Sequence, residues 1–257
     1  MTRPITLILS LVFFLFRNVS VAQDELTGAL AKDSKKDTKA YVIKSLEGQK
    51  RKIVIMPDYV NHVLKIYCPK DTVRVDDYWD VPPEVHLLGN NFIKVDYEVR
   101  GGSGVGLGNT VIICIRRNKL FEAMHTLRYL TGEGAGEEDS YKINVNLINS
   151  DKGIYKLTIK VHDEVHSKYT PEINYNYNNK TVLSFDRDKN VFYSIKGNLY
   201  GTFKVYDPKT EKETQQQIRG NYPVIILGKN NYYFIKDGWY ALGDSNSLQK
   251  YTSRSSL

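Results

Sequence analysis

The sequence predicts an all-β protein, an antiparallel meander of short strands. Three observations lead there. Apolar and polar residues alternate with period two over several stretches, turn-forming residues separate those stretches, and the chain carries 19 tyrosines among its 257 residues. Period two places alternate side chains on opposite faces of a strand. Short turns join antiparallel strands, whereas parallel neighbours need crossovers of about a dozen residues or more. Within this class a blade-like, propeller-like arrangement is preferred slightly over a β-sandwich or open barrel. The segments DKGIYKLTIKV at 151, DKNVFYSIKGNLY at 188 and GKNNYYFIKDGWY at 228 share a turn, an aromatic-bearing strand and Ile-Lys, at offsets of 37 and 40 residues. Repeats of about 40 residues occur in propellers of four-stranded blades.

The elements follow in chain order. Residues 1–22 read as a secretory signal peptide, with Arg3 ahead of an apolar run from Ile5 to Phe16 and small residues ending at Ala22. That run is too short for a membrane span of about 20 helical residues. The mature protein is therefore expected to be soluble, secreted or periplasmic, with no membrane span. Residues 23–52 form a polar lead, rich in Lys, Asp, Ser and Thr, read as flexible. The net charge of +7 is uneven: two positive charges leave with the signal, the lead carries +3, and the body from Ile53 keeps +2. A nucleic-acid footprint needs its basic residues gathered on one face, so nucleic acid is excluded as a partner.

Residues 53–250 are assigned to a single all-β domain. Cys68 in HVLKIYC and Cys114 in VIICI sit on apolar strands. In an oxidising compartment they are a disulfide candidate, bridged if their Cα atoms approach within about 7 Å. VPPE at 81–84 interrupts a strand, because consecutive prolines cannot occupy a central one. FIKVDYEV alternates as a strand and leads into VRGGSGVGLGNTVII, residues 99–113. This glycine-rich stretch lacks the Gly-Lys-Ser/Thr of a phosphate loop, and β-branched residues follow it where a helix would be required. It also misses the spacing of a serine elbow by one residue. It is read as a hairpin loop, with Gly102, Ser103, Gly104 and Gly106 as candidate binding residues. KLFEAMHTLRYL, residues 119–130, has an ambiguous period and is read as a strand.

TGEGAGEEDS, residues 131–140, is a point where the domain divides or, on the preferred reading, a long surface loop. YKINVNLI and IYKLTIKV then alternate cleanly. HDEVH, residues 162–166, resembles a zinc motif, but it continues a strand, where four residues span about 13 Å and shared coordination fails. In PEINYNYNNKT, Tyr175 and Tyr177 alternate with asparagines; they are candidate contacts for protein or carbohydrate, although burial of the tyrosines is the commoner outcome. DRDKN, residues 186–190, opens like a calcium loop but lacks its Gly and Glu. Residues 251–257 are expected to be a disordered tail.

No catalytic, cofactor-binding or metal-binding residue is assigned, and no cofactor. The function expected is that of an exported, non-catalytic binding or interaction protein, with an extracytoplasmic protein or glycan as partner. The alternative is a secreted hydrolase, for example a glycan-directed one, whose acids, Asp76, Asp77, Asp80 and Glu84 among them, meet only in the fold.

Overall fold

A computed structural model describes residues 30–76, 78, 79, 81–99, 105–134, 137–148, 154–207, 212–236, 238–243 and 245–251. The segment expected to be a signal, 1–22, lies outside them. Among the described residues no helix is long and apolar enough to cross a membrane.

Alternating burial builds the first sheet from β1 (Lys39–Lys44), β2 (Lys50–Asp58), β3 (Val63–Cys68) and β4 (Asp71–Val75), antiparallel and in sequence order. The polar lead therefore does not run to residue 52. Its lysines occupy the solvent side of strands whose other face buries Ile43, Ile53 and Ile55, so a count of charges hid a period of two. Residues 30–37 are helical and docked on this sheet. The Tyr59 amide donates to Ser34 Oγ at 3.1 Å and the Tyr59 hydroxyl donates to Asp37 at 2.8 Å.

The second sheet holds eight strands in sequence order. They are β5 (Glu84–Leu88), β6 (Phe92–Glu98), β7 (Val105–Arg116), β8 (Lys119–Gly134), β9 (Glu137–Ile148), β10 (Lys156–Ser167), β11 (Tyr175–Asp186) and β12 (Val191–Tyr193). The segment of ambiguous period, 119–130, is strand, as expected. Within 131–140 the described residues are not a loop: 131–134 and 137–140 are the facing ends of β8 and β9, paired from Tyr129↔Lys142 to Gly134↔Glu137, and residues 135 and 136 lie outside the described residues. That is the whole of the β8–β9 ladder, so away from the hairpin the two strands part and open a wedge. The alternation in β7 serves both sides. Val111, Ile113 and Ile115 pack on the first sheet, while Ile112 and Cys114 face the wedge opposite Ile143, Leu157 and Leu183.

The wedge is filled by a closed barrel of β13 (Ile195–Asp207), β14 (Lys212–Leu227), β15 (Asn230–Ile235), β16 (Gly238–Gly243) and β17 (Ser247–Lys250). An odd number of meandering strands leaves the first and last running the same way, and β13 accordingly pairs β17 in parallel. The barrel has its own core, including Leu199, Phe203 and Leu248, and sends Ile225, Leu227, Tyr232 and Trp239 into the wedge.

The propeller-like arrangement is not shown. The three similar segments lead into β10, β12 and β15, which lie in two different sheets, so their likeness reflects common hairpin chemistry and not a repeated blade. Tyr251 is no tail residue: its amide donates to the Trp239 carbonyl at 2.8 Å and its ring meets Tyr232 edge-on. Residues 252–257 lie outside the described residues.

Candidate functional site

The connection from β4 to β5 is built around Tyr78, which is fully buried, stacks on Tyr59 and bridges Val99. Adjacent residues in extended chain point to opposite sides. Anchoring Tyr78 therefore turns Trp79 outward, 45% exposed, with its amide donating to the Glu98 carbonyl at 2.9 Å. Pro82 and Pro83 keep residues 81–83 out of any ladder before β5 begins at Glu84. Val81 and Val105, each 41% exposed, join Trp79 around an open notch of about 370 Å³. Leu107 and Gly106 supply its far wall.

Glu98 is the acid of this notch, and its charge is already answered. Oε1 accepts from Arg128 at 2.9 Å, and Oε2 accepts from the Tyr129 hydroxyl. Burial and that carboxylate push the Tyr129 phenol up to about 12. The notch thus presents aliphatic and indole surface with little unspent polarity.

Of the candidate loop residues, Gly106 lines the notch, whereas Gly102, Ser103 and Gly104 lie outside the described residues. Val99 and Val105, which flank that segment, both line the notch. Gly106 itself is corrected from loop to strand. It pairs with Thr131 in β8, and Gly108 pairs with Tyr129. A Cβ on either would press on the side chain opposite, so these glycines serve close cross-strand approach.

Tyr175 and Tyr177 do not form a free aromatic face. Tyr175 donates to Asp163 Oδ1 at 2.9 Å beneath Lys229, whose Nζ lies 3.6 Å from the ring centroid. Tyr177 packs on the wedge core. Both belong to the contact between the second sheet and the β14–β15 turn. Burial, and then the neighbouring Asp163, raises the Asp139 carboxyl. The asparagines alternate outward: His162 Nδ1 and Asn178 Oδ1 are 2.9 Å apart, and Asn178 donates to Asn176 at 2.6 Å.

The disulfide candidate is overturned. Cys68 and Cys114 are both buried and free, and they lie in different cores, Cys68 with the first sheet and Cys114 in the wedge. Position 114 has the parity opposite to Ile113, so β7 itself separates the two sulfurs. Burial raises the Cys114 thiol far above its ordinary value.

Among the acids weighed for hydrolysis, Asp76 accepts from Arg74 at 2.7 Å, and Asp77 and Asp80 lie outside the described residues. Glu84 does meet another carboxylate. Glu84, His86 and Asp96 offer ligand atoms within 4.8 Å of one another. They are lateral neighbours on β5 and β6, not groups opposed across a cleft. Both oxygens of Asp96 are engaged, by Thr110 at 2.5 Å and by the Lys94 ammonium at 2.6 Å. An ammonium already stands where a metal would compete for Asp96. The turn DRDKN is likewise explained without an ion, since Asp186 Oδ1 accepts from the amides of Asp188 and Lys189.

Sequence reasoning missed a buried polar chain. The Tyr97 hydroxyl and His125 Nε2 are 2.5 Å apart, and His125 Nδ1 and Glu122 Oε2 are 3.0 Å apart. Consistent donors follow if Tyr97 O–H donates to Nε2 and Nδ1–H donates to the carboxylate. Glu122 and His125 stand three apart on a strand whose bulge realigns them, and no spacing in KLFEAMHTLRYL announces that. Comparison with known protein families, with curated proteins and with solved structures finds no match to this chain.

Proposed function

We propose that the protein is a non-catalytic binding protein that acts outside the cytoplasm and receives an apolar side chain of a protein partner in the Trp79 notch. The observation that supports this most is the outward Trp79, held beside Val81 and Val105 by the burial of Tyr78. Tryptophan anchors set in apolar surroundings dominate binding energies at protein interfaces. A sugar would need several unspent hydrogen-bonding groups around the aromatic face, and Glu98 is taken by Arg128 and Tyr129.

Selection of displayed peptides on the intact protein tests this reading. Peptides with one apolar or aromatic anchor are expected, and Trp79→Ala should weaken them at least tenfold while leaving the unfolding midpoint in place. Glycan ligands lost with the same substitution would move the partner class to carbohydrate. Glycan turnover abolished by Glu84→Gln would replace binding with hydrolysis.

A further inference from the structure

A second site, independent of the notch, lies where the second sheet meets the barrel. A pocket of about 260 Å³ opens between the turn of residues 187–190 and Lys236. This is below the roughly 300–1,000 Å³ of sites for drug-sized ligands, so its occupant is small. Glu122, 8% exposed, and Phe121 line the inner part; Phe234 and Val191 form walls. Asp188, Lys189 and Lys236 are exposed at the mouth.

The walls are held in place. Arg116 donates to the Arg187 carbonyl at 2.6 Å and to Asn190 Oδ1 at 3.2 Å, fixing one turn. Trp239, packed on Phe234, donates to the Glu122 carbonyl at 3.1 Å and ties the barrel to the inner end. Asn190 and Lys236 both hold positive φ, 59° and 56°, as the tight hairpin turns that form the two lips require.

The charges select the ligand. Glu122 spends Oε2 on His125, and its other oxygen makes no hydrogen bond among the described residues. A carboxylate this buried gains from a cationic donor. At the mouth, two lysines against one aspartate leave an excess of positive charge. A simple amine would be repelled on entry, and a simple carboxylate would meet Glu122 within. We propose that the pocket binds a small zwitterion of the amino-acid type. Its ammonium sits on Glu122, its carboxylate on Lys189 and Lys236, and an apolar side chain lies between Phe121 and Phe234.

The test is calorimetric titration of the intact protein with L-phenylalanine and L-leucine, with tryptophan fluorescence followed in parallel because Trp239 touches the pocket wall. At least one is expected to bind, and 2-phenylethylamine and 3-phenylpropionate, which each lack one charge, should bind at least tenfold more weakly than phenylalanine. Glu122→Gln should weaken the amino acid at least tenfold. The exposed pair Lys189→Ala and Lys236→Ala, which leaves the interior alone, should weaken the amino acid but not the amine. No response to either amino acid at millimolar concentration overturns the proposal, as does an amine that binds as tightly as the amino acid.

Discussion

The indole of Trp239 donates to the main-chain carbonyl of Glu122 at 3.1 Å, across the boundary between barrel and sheet. The carbonyl is available because of two local features. β8 has no β9 partner before Tyr129, and a register shift opposite Ile112 and Ile113 leaves Ala123 without a cross-strand mate. Such bulges leave ladder groups unpaired, and a buried carbonyl must then find another donor. Tyr232 meets the same open edge further along, where its hydroxyl oxygen accepts from the Leu127 amide. The barrel completes the edge of a sheet with side chains instead of a strand.

Trp239→Phe keeps most of the buried ring but leaves the Glu122 carbonyl without its donor. The expected loss is about 1–3 kcal/mol, against about 3–5 kcal/mol for Trp239→Ala, read from urea unfolding. A Trp239→Phe protein as stable as the parent would show that this bond contributes nothing.

The two strand glycines should respond differently to alanine. A Cβ at Gly108 would lie 2.8 Å from Tyr129 Cδ1, so the ring must leave Glu98, at a cost of about 1–3 kcal/mol. At Gly106 the obstacle is Thr131 Oγ1 at 2.6 Å, the end of a short side chain that can rotate, and the loss should stay under about 1 kcal/mol. Denaturant midpoints of the two variants check the order, and equal midpoints contradict it.

Asp58 predicts a pH dependence. Burial pushes its carboxyl up, but hydrogen bonds from Lys65 at 2.9 Å and from Asn61 outweigh this and hold it below its ordinary value. The unfolded chain therefore binds the proton more readily. The contribution is fully present above the ordinary carboxylate value, about 3.9, and is lost as pH falls from there through the lowered native value. Asp58→Asn should flatten the fall in thermal stability below about pH 4, by under about 1 kcal/mol because the pair is partly solvated.

Thiol titration separates the two faces of β7. Unfolded in the absence of reductant, the protein should show two reactive thiols, and the native protein should show Cys114 unreactive because it is fully buried. Zero thiols on unfolding would mean a bridge, and would require β7 to rotate.

On the proposal that the leading segment is a cleaved export signal, the intact mass of the mature protein should be that of a chain beginning at Gln23. Retention of residues 5–16 would point to an anchor.

Strands were legible wherever one face is buried and the other wet. Tyr141, Ile143 and Val145 against Lys142, Asn144 and Asn146 are the plain case, and the structure buries the first set and exposes the second. The lysine-rich β1 and β2 were illegible to composition, which averages over the two faces. β7 was harder in another way. Buried on both sides, Val111–Ile115 carries no alternation, so the sequence could not show which core Cys114 joins. The architecture was misread because turn chemistry repeats in any hairpin, whereas the end of the β8–β9 ladder depends on what fills the gap. The notch was half legible. Glycines and prolines marked its rim, but the outward turn of Trp79 depends on Tyr59 and Val99, both distant in sequence from the residues it joins. The Glu122 pocket left no trace, since its members come from three separate hairpins.

The parallel pairing of β13 with β17 also sets an order of assembly. Among the described residues every other strand pair joins neighbours in the chain and can form as soon as its second strand is made. This seam instead joins Lys204 to Ser247 and Val205 to Leu248, and it must wait for the whole meander between them. Until then Leu199, Phe203 and Val205 line an open trough, and β13 offers a bare ladder to any strand nearby. A newly made chain therefore carries an unpaired β13 edge in the interval between synthesis of β13 and arrival of β17, and closing that seam removes the edge.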